Sequence, residues 1–133
     1  MFEVCACLGT RSEELRRFGH LLGVLYHGCD DVGDVRGAAA LGGGGEEDLR
    51  DGILTLPAAF AIRDPAVAAM FVDPEPTRER LRTLAGAFAE SLSEAEAHLD
   101  VIAREAREEA RRYAAHPQPL LALVDLTRKL SSR

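Results

Sequence analysis

A chain of 133 residues, 47% hydrophobic and 29% charged, has room for one domain with a real core, and this composition excludes a disordered or fibrous protein. A net charge of -6 excludes a general nucleic-acid binder, which needs an excess of Lys and Arg to displace phosphate counterions. No stretch approaches the length of a membrane span, and the opening MFEVCACLGT contains Glu3 and lacks a basic leader, unlike a signal peptide; a cytoplasmic protein is expected from its cysteines. The three cysteines, Cys5, Cys7 and Cys29, match neither a disulfide framework nor a zinc site and read as reduced core residues.

Phe2 to Leu8 is apolar nearly all round and opens without a capping residue. It reads as a helix cut in its middle, whose surface something else must cover. Thr10 and Glu13 have capping-box spacing just after Gly9, so the next helix is expected to open at Thr10 and to run to Asp34. Its buried stripe is Leu15, Phe18, Leu22, Leu25, Cys29 and Val32, which recur at steps of three and four. The Ala- and Gly-rich stretch from Gly37 to Gly45 reads as a flexible loop. A helical segment follows from about Leu54 to Met70, broken near Asp64-Pro65 because the residue before a proline disfavours helix. After a turn at Asp73-Pro74-Glu75-Pro76, the next stripe is Leu81, Leu84, Phe88 and Leu92, and the one after it Leu99, Ile102, Ala106, Ala110 and Tyr113. His116-Pro117-Gln118-Pro119 ends that run, and Leu120 to Leu130 makes a last short helix. An all-α bundle is the expected fold.

The chemistry lies in the run DDVGD, which is Asp30, Asp31 and Asp34 with two intervening residues. At 100° per residue Asp30 and Asp34 share a helix face, with Gly19, His20, Gly23 and His27 on the same side. Two carboxylates one turn apart repel each other unless a cation is shared, and magnesium takes one or two carboxylates while bridging to phosphate oxygens. Simple solvation of acidic residues is the competing explanation. Against it, carboxylates near a helix carboxyl end oppose the macrodipole, and Gly19, Gly23, Gly28 and Gly33 each cost about 1 kcal/mol relative to Ala. Gly19 and Gly23 leave room for a ligand or for a closely packed neighbour. His20 and His27 lack a third ligand partner and read as packed or hydrogen-bonded, Arg104 to Arg112 as a solvated face, and Arg128, Lys129 and Arg133 as a frayed tail.

The stretch FGHLLGVLYHGCDDVGDVRG resembles the helix ending in FQxxDDxxD of the trans-isoprenyl diphosphate synthases, or polyprenyl synthetases. DLRDGILTLPAAFAI is similar to that family's DLxxGKxTLP segment at nearly the expected spacing. The later helices follow the same order, so the resemblance covers residues 1–133 and matches the carboxyl-terminal half of the family's fold. It implies half of an isoprenoid-synthase helical bundle, completed by a partner chain that carries the amino-terminal half and the first aspartate-rich motif. It further implies that Asp30, Asp31 and Asp34, matching the second motif, bind Mg2+ and act in catalysis, and that Gly23, Tyr26 and His27 line the substrate site. The substrates would be an allylic diphosphate and isopentenyl diphosphate. Tyr26 departs from the family's Phe, His27 from its Gln, and Gly43 and Ile53 from its lysines. Two functions follow: a prenyltransferase subunit of a split synthase, inactive alone, or a non-catalytic interaction or regulatory subunit of such a synthase, which the missing lysines favour.

Overall fold

The computed structural model describes residues 1–10, 13–41, 52–75 and 77–132, with residues 10 and 38–41 described by backbone alone. Among the described residues all regular structure is helical: α1 (Phe2–Thr10), α2 (Arg16–Leu41), α3 (Leu56–Ala61), α4 (Pro65–Phe71), α5 (Arg78–Glu90), α6 (Leu92–Tyr113) and α7 (Gln118–Arg128), followed by the 3-10 turn Lys129–Ser132.

The helix ends follow local chemistry. Asp64 caps α4 by accepting from the Ala66 N–H at 2.8 Å, with Pro65 at the first position, where its missing donor costs nothing. Thr77 caps α5 in the same way through the Arg80 N–H. Two expected boundaries fall elsewhere. Thr10 is the last residue of α1 rather than a cap, and α2 opens at Arg16, whose N–H reaches the Glu13 carbonyl at 3.0 Å. At its other end α2 continues past Asp34 to Leu41, because Ala38 to Ala40 propagate helix strongly enough to carry Gly37. Gly42 to Gly45 lie outside the described residues. Leu92 opens α6 instead of closing the α5 stripe, since the Ser91 hydroxyl donates back to the Ala87 carbonyl at 2.9 Å and ends α5.

The chain forms two compact units. The first comprises Met1–Cys29 and Ala97–Leu130. Its buried residues are Leu15, Phe18, Leu22, Leu25 and Cys29 of α2, Leu99, Ile102, Ala103, Ala106 and Ala110 of α6, and Val124 of α7. Each buried Leu or Phe contributes about 1.5–3 kcal/mol. Arg17 pairs with Glu105 at 3.1 Å, Arg107 with Asp125 at 2.6 Å and Arg128 with Asp100 at 2.8 Å. Exposed pairs of this kind add about 0–1 kcal/mol each, so they orient the helices while the apolar stripes hold them. Cys29 is the core residue expected, whereas Cys5 is exposed and Cys7 half-buried, because α1 lies on the surface of the unit.

The second unit comprises Asp30–Glu96 with Ser131–Arg133. Its core joins Ala58 and Ala61 of α3 to Leu84 and Phe88 of α5, with Val35, Val67, Met70, Phe71 and Ala87 packed around them. The Phe71 and Phe88 rings meet at 6.1 Å, tilted by 54°. Arg80 pairs with Asp73 across the turn that enters α5, and Arg36 of α2 bonds both the Ser131 carbonyl and the Glu96 carboxylate, the latter at 2.7 Å.

Candidate functional site

The three aspartates of the acidic run sit on consecutive turns of α2 in the second unit and face different surroundings. Asp30 and Asp34 are exposed, one helical turn apart on one face. Asp31 is half-buried, and its Oδ2 accepts the backbone N–H of Leu56 at 2.8 Å. Among the described residues no group of three or more His, Cys, Asp or Glu side chains converges in a way that would hold a metal ion. On the exposed face of α2, Asp30 and Asp34 offer a pair of carboxylates. Hard oxygen donors in that number suit magnesium, which completes its shell with water and phosphate oxygens.

Leu56 belongs to the second segment singled out in the sequence. Gly52 has φ +67, a left-handed conformation that an L side chain rarely adopts, which gives a physical reason for glycine at this place in the segment. Beyond it the Thr55 N–H reaches the Ile53 carbonyl at 3.1 Å, and the Thr55 hydroxyl caps α3 by accepting from the Ala58 N–H, with Pro57 buried in the first turn. The Asp31 bond thus brings the acidic run and the Thr-Leu-Pro segment together across 25 residues of chain. Ile53 and Leu54 are exposed. Gly43, the other departure from a family lysine, lies outside the described residues.

The remaining candidates belong to the first unit. Gly23 is half-buried and faces the Phe2 ring of α1, where an added β-carbon would come 3.2 Å from Phe2 Cδ2. Phe2 also meets Tyr26, ring centroids 5.8 Å apart, and Tyr26 meets His27 edge-on at 5.6 Å. At Gly19 the backbone of α1 itself arrives, so a closely packed neighbour occupies the space that the two glycines leave. His20 is hydrogen-bonded as expected, its Nδ1 lying 3.0 Å from Glu3 Oε1.

Sequence reasoning missed the Leu56 N–H as a partner of the acidic run, and it missed Arg36, which ties α2 to Glu96 and Ser131. A faint signal existed for the first: the proline at position 57 supplies no donor, so Leu56 was the exposed amide at the opening of a short helix. Nothing in the spacing pointed to Arg36, whose partner Glu96 is 60 residues away.

No protein-family model matches the chain, and no curated protein matches it. Among solved structures it is similar to the crystal structure of heptaprenyl diphosphate synthase from Staphylococcus aureus, with a TM-score of 0.69 and 25% sequence identity. The alignment covers 90% of this chain and 39% of that one, so the chain spans well under half the length of that enzyme. The fold is thus an all-α helical bundle related to that of the isoprenoid synthases, and the chain is related at the level of fold to a polyprenyl synthase.

Proposed function

We propose that this chain is one component of a two-chain trans-isoprenyl diphosphate synthase in the cytoplasm, a prenyltransferase that joins an allylic diphosphate to isopentenyl diphosphate. The observation that carries this reading is the likeness to heptaprenyl diphosphate synthase over 90% of the chain, in which the acidic run and the Thr-Leu-Pro segment are in contact. A second chain supplies the first aspartate-rich motif and the isopentenyl diphosphate site, in keeping with the 39% of the larger enzyme that is matched.

Asp30 and Asp34 are the residues that would hold magnesium together with a bound diphosphate. The chemistry such an ion would supply is neutralisation of charge on a leaving diphosphate, which carboxylates alone would repel. Tyr26 and His27, which precede Asp30 on the same helix, are the residues expected to contact substrate.

The experiment is Asp30→Ala in the assembled complex, assayed with magnesium, an allylic diphosphate and labelled isopentenyl diphosphate. Product formation is expected to disappear while the helical circular dichroism and melting temperature stay close to those of the parent. Full turnover by this variant favours the second reading, a non-catalytic regulatory subunit. The feature that speaks for that reading is Ile53, an exposed apolar residue where the family carries a lysine.

A further inference from the structure

The amino end of α3 is closed by a complete set of hydrogen bonds, one of which comes from outside its own segment. The first four N–H groups of a helix have no partner within it. In α3 the Leu56 N–H goes to Asp31 Oδ2 at 2.8 Å, Pro57 has no N–H, the Ala58 N–H goes to the Thr55 hydroxyl at 3.4 Å, and the Ala59 N–H goes to the Thr55 carbonyl at 2.9 Å. Thr55 can serve its own segment, but it cannot reach round to Leu56. With six residues, α3 is far below the length of about 12–15 at which isolated helices become even marginal, so its place depends on tertiary contacts. The apolar contacts of Ala58 and Ala61 fix one face against α5, and the Asp31 bond fixes its start against α2.

Asp31 differs from its neighbours in the same direction. It is half-buried while Asp30 and Asp34 are exposed, and the three do not converge as a metal-holding group.

We infer that Asp31 is the positioning residue of the acidic run: its Oδ2 holds the Leu56 amide and so sets residues 53–57 in register with the turns of α2 that carry Asp30 and Asp34. The inference rests on the reading of Asp30 and Asp34 as the metal pair and divides the labour within the motif. Asp30 and Asp34 are the exposed carboxylates that would meet the cation, and Asp31 keeps the Thr-Leu-Pro segment beside them.

The full chain and its Asp31→Ala, Asp31→Asn and Asp30→Ala variants test this, by amide hydrogen exchange at Leu56 and by manganese(II) titration followed through NMR line broadening at the amides of residues 53–58. Asn keeps an acceptor oxygen, so Asp31→Asn is expected to preserve slow exchange at Leu56, whereas Asp31→Ala should speed it by roughly tenfold or more. Asp30→Ala should leave Leu56 exchange unchanged and abolish manganese binding. Manganese should broaden the amides of residues 53–58 in the parent and in Asp31→Asn, and should still bind Asp31→Ala while broadening them much less. Unchanged Leu56 exchange in Asp31→Ala would overturn the assignment. So would a loss of manganese binding in Asp31→Asn as complete as that in Asp30→Ala, because Asp31 would then be a ligand. Manganese binding that survives Asp30→Ala would instead sink the metal-pair reading, and the Leu56 exchange result would stand apart from it.

Discussion

A β-carbon added to Gly19 would lie 2.7 Å from the Cα of Glu3, so α1 rests on α2 with backbone against backbone. Backbone atoms cannot swing aside as the end of a side chain can. Gly19→Ala is therefore expected to push α1 off α2. The overpacking costs about 1–3 kcal/mol and outweighs the gain of roughly 1 kcal/mol that Ala brings to a helix interior. Gly23→Ala meets only the Phe2 ring and should be nearly neutral. Urea unfolding of the two variants checks this, and a Gly19→Ala protein more stable than the parent would refute it.

The turn into α5 carries a second prediction. The Glu75 N–H donates to the Asp73 carboxylate at 2.9 Å, and this bond, aided by Arg80, holds the Asp73 carboxyl below its usual range. A depressed carboxyl stabilises the fold fully above its unfolded value of about 3.9, and that contribution is lost as pH falls through the lower folded value. Asp73→Asn should consequently lower the melting temperature at neutral pH and flatten its decline on acidification. Parallel acid profiles for the two proteins would show that the turn contributes nothing at these pH values.

Surface exposure supports a third. Met1 and, in α1, Val4 and Leu8 are 93%, 59% and 74% exposed, an apolar surface that water covers in the isolated chain. The chain alone should self-associate with rising concentration, and Val4→Ser with Leu8→Ser should reduce this without lowering the melting temperature. Sedimentation velocity decides the point, and a monodisperse parent at every concentration would contradict it.

The long amphipathic stripes were legible in the sequence because their order is local. Leu15, Phe18, Leu22, Leu25, Cys29 and Val32 recur at helical spacing, and all six are buried. The break at Asp64-Pro65 was legible for the same reason, since cap and proline are neighbours. Thr10 misled because capping-box spacing says nothing of whether the preceding apolar helix has ended. Gly19 and Gly23 announced a close approach but not its occupant, which is set by residues of another helix. The Asp31 bond to Leu56 left only the faint signal of the proline at position 57, because a backbone donor leaves little mark on residue type.

On the proposed reading the isolated chain should bind diphosphate weakly, because Ile53 supplies no charge where the synthases it resembles carry a lysine. Calorimetry with magnesium and inorganic diphosphate, run on the chain alone and on the assembled pair, is expected to give measurable affinity only for the pair. Equal binding by both would remove the need for a partner's cations.

The central claim is that catalysis requires this chain together with a second component. The most direct measurement takes the tagged chain from its own cells with whatever it carries, and compares it with the chain purified alone. Both are assayed for labelled isopentenyl diphosphate incorporated onto an allylic diphosphate in the presence of magnesium. The account predicts prenyl diphosphate product from the complex, none from the chain alone, and none from the complex carrying Asp30→Ala. Product made by the chain alone, or undiminished product from the Asp30→Ala complex, would contradict it.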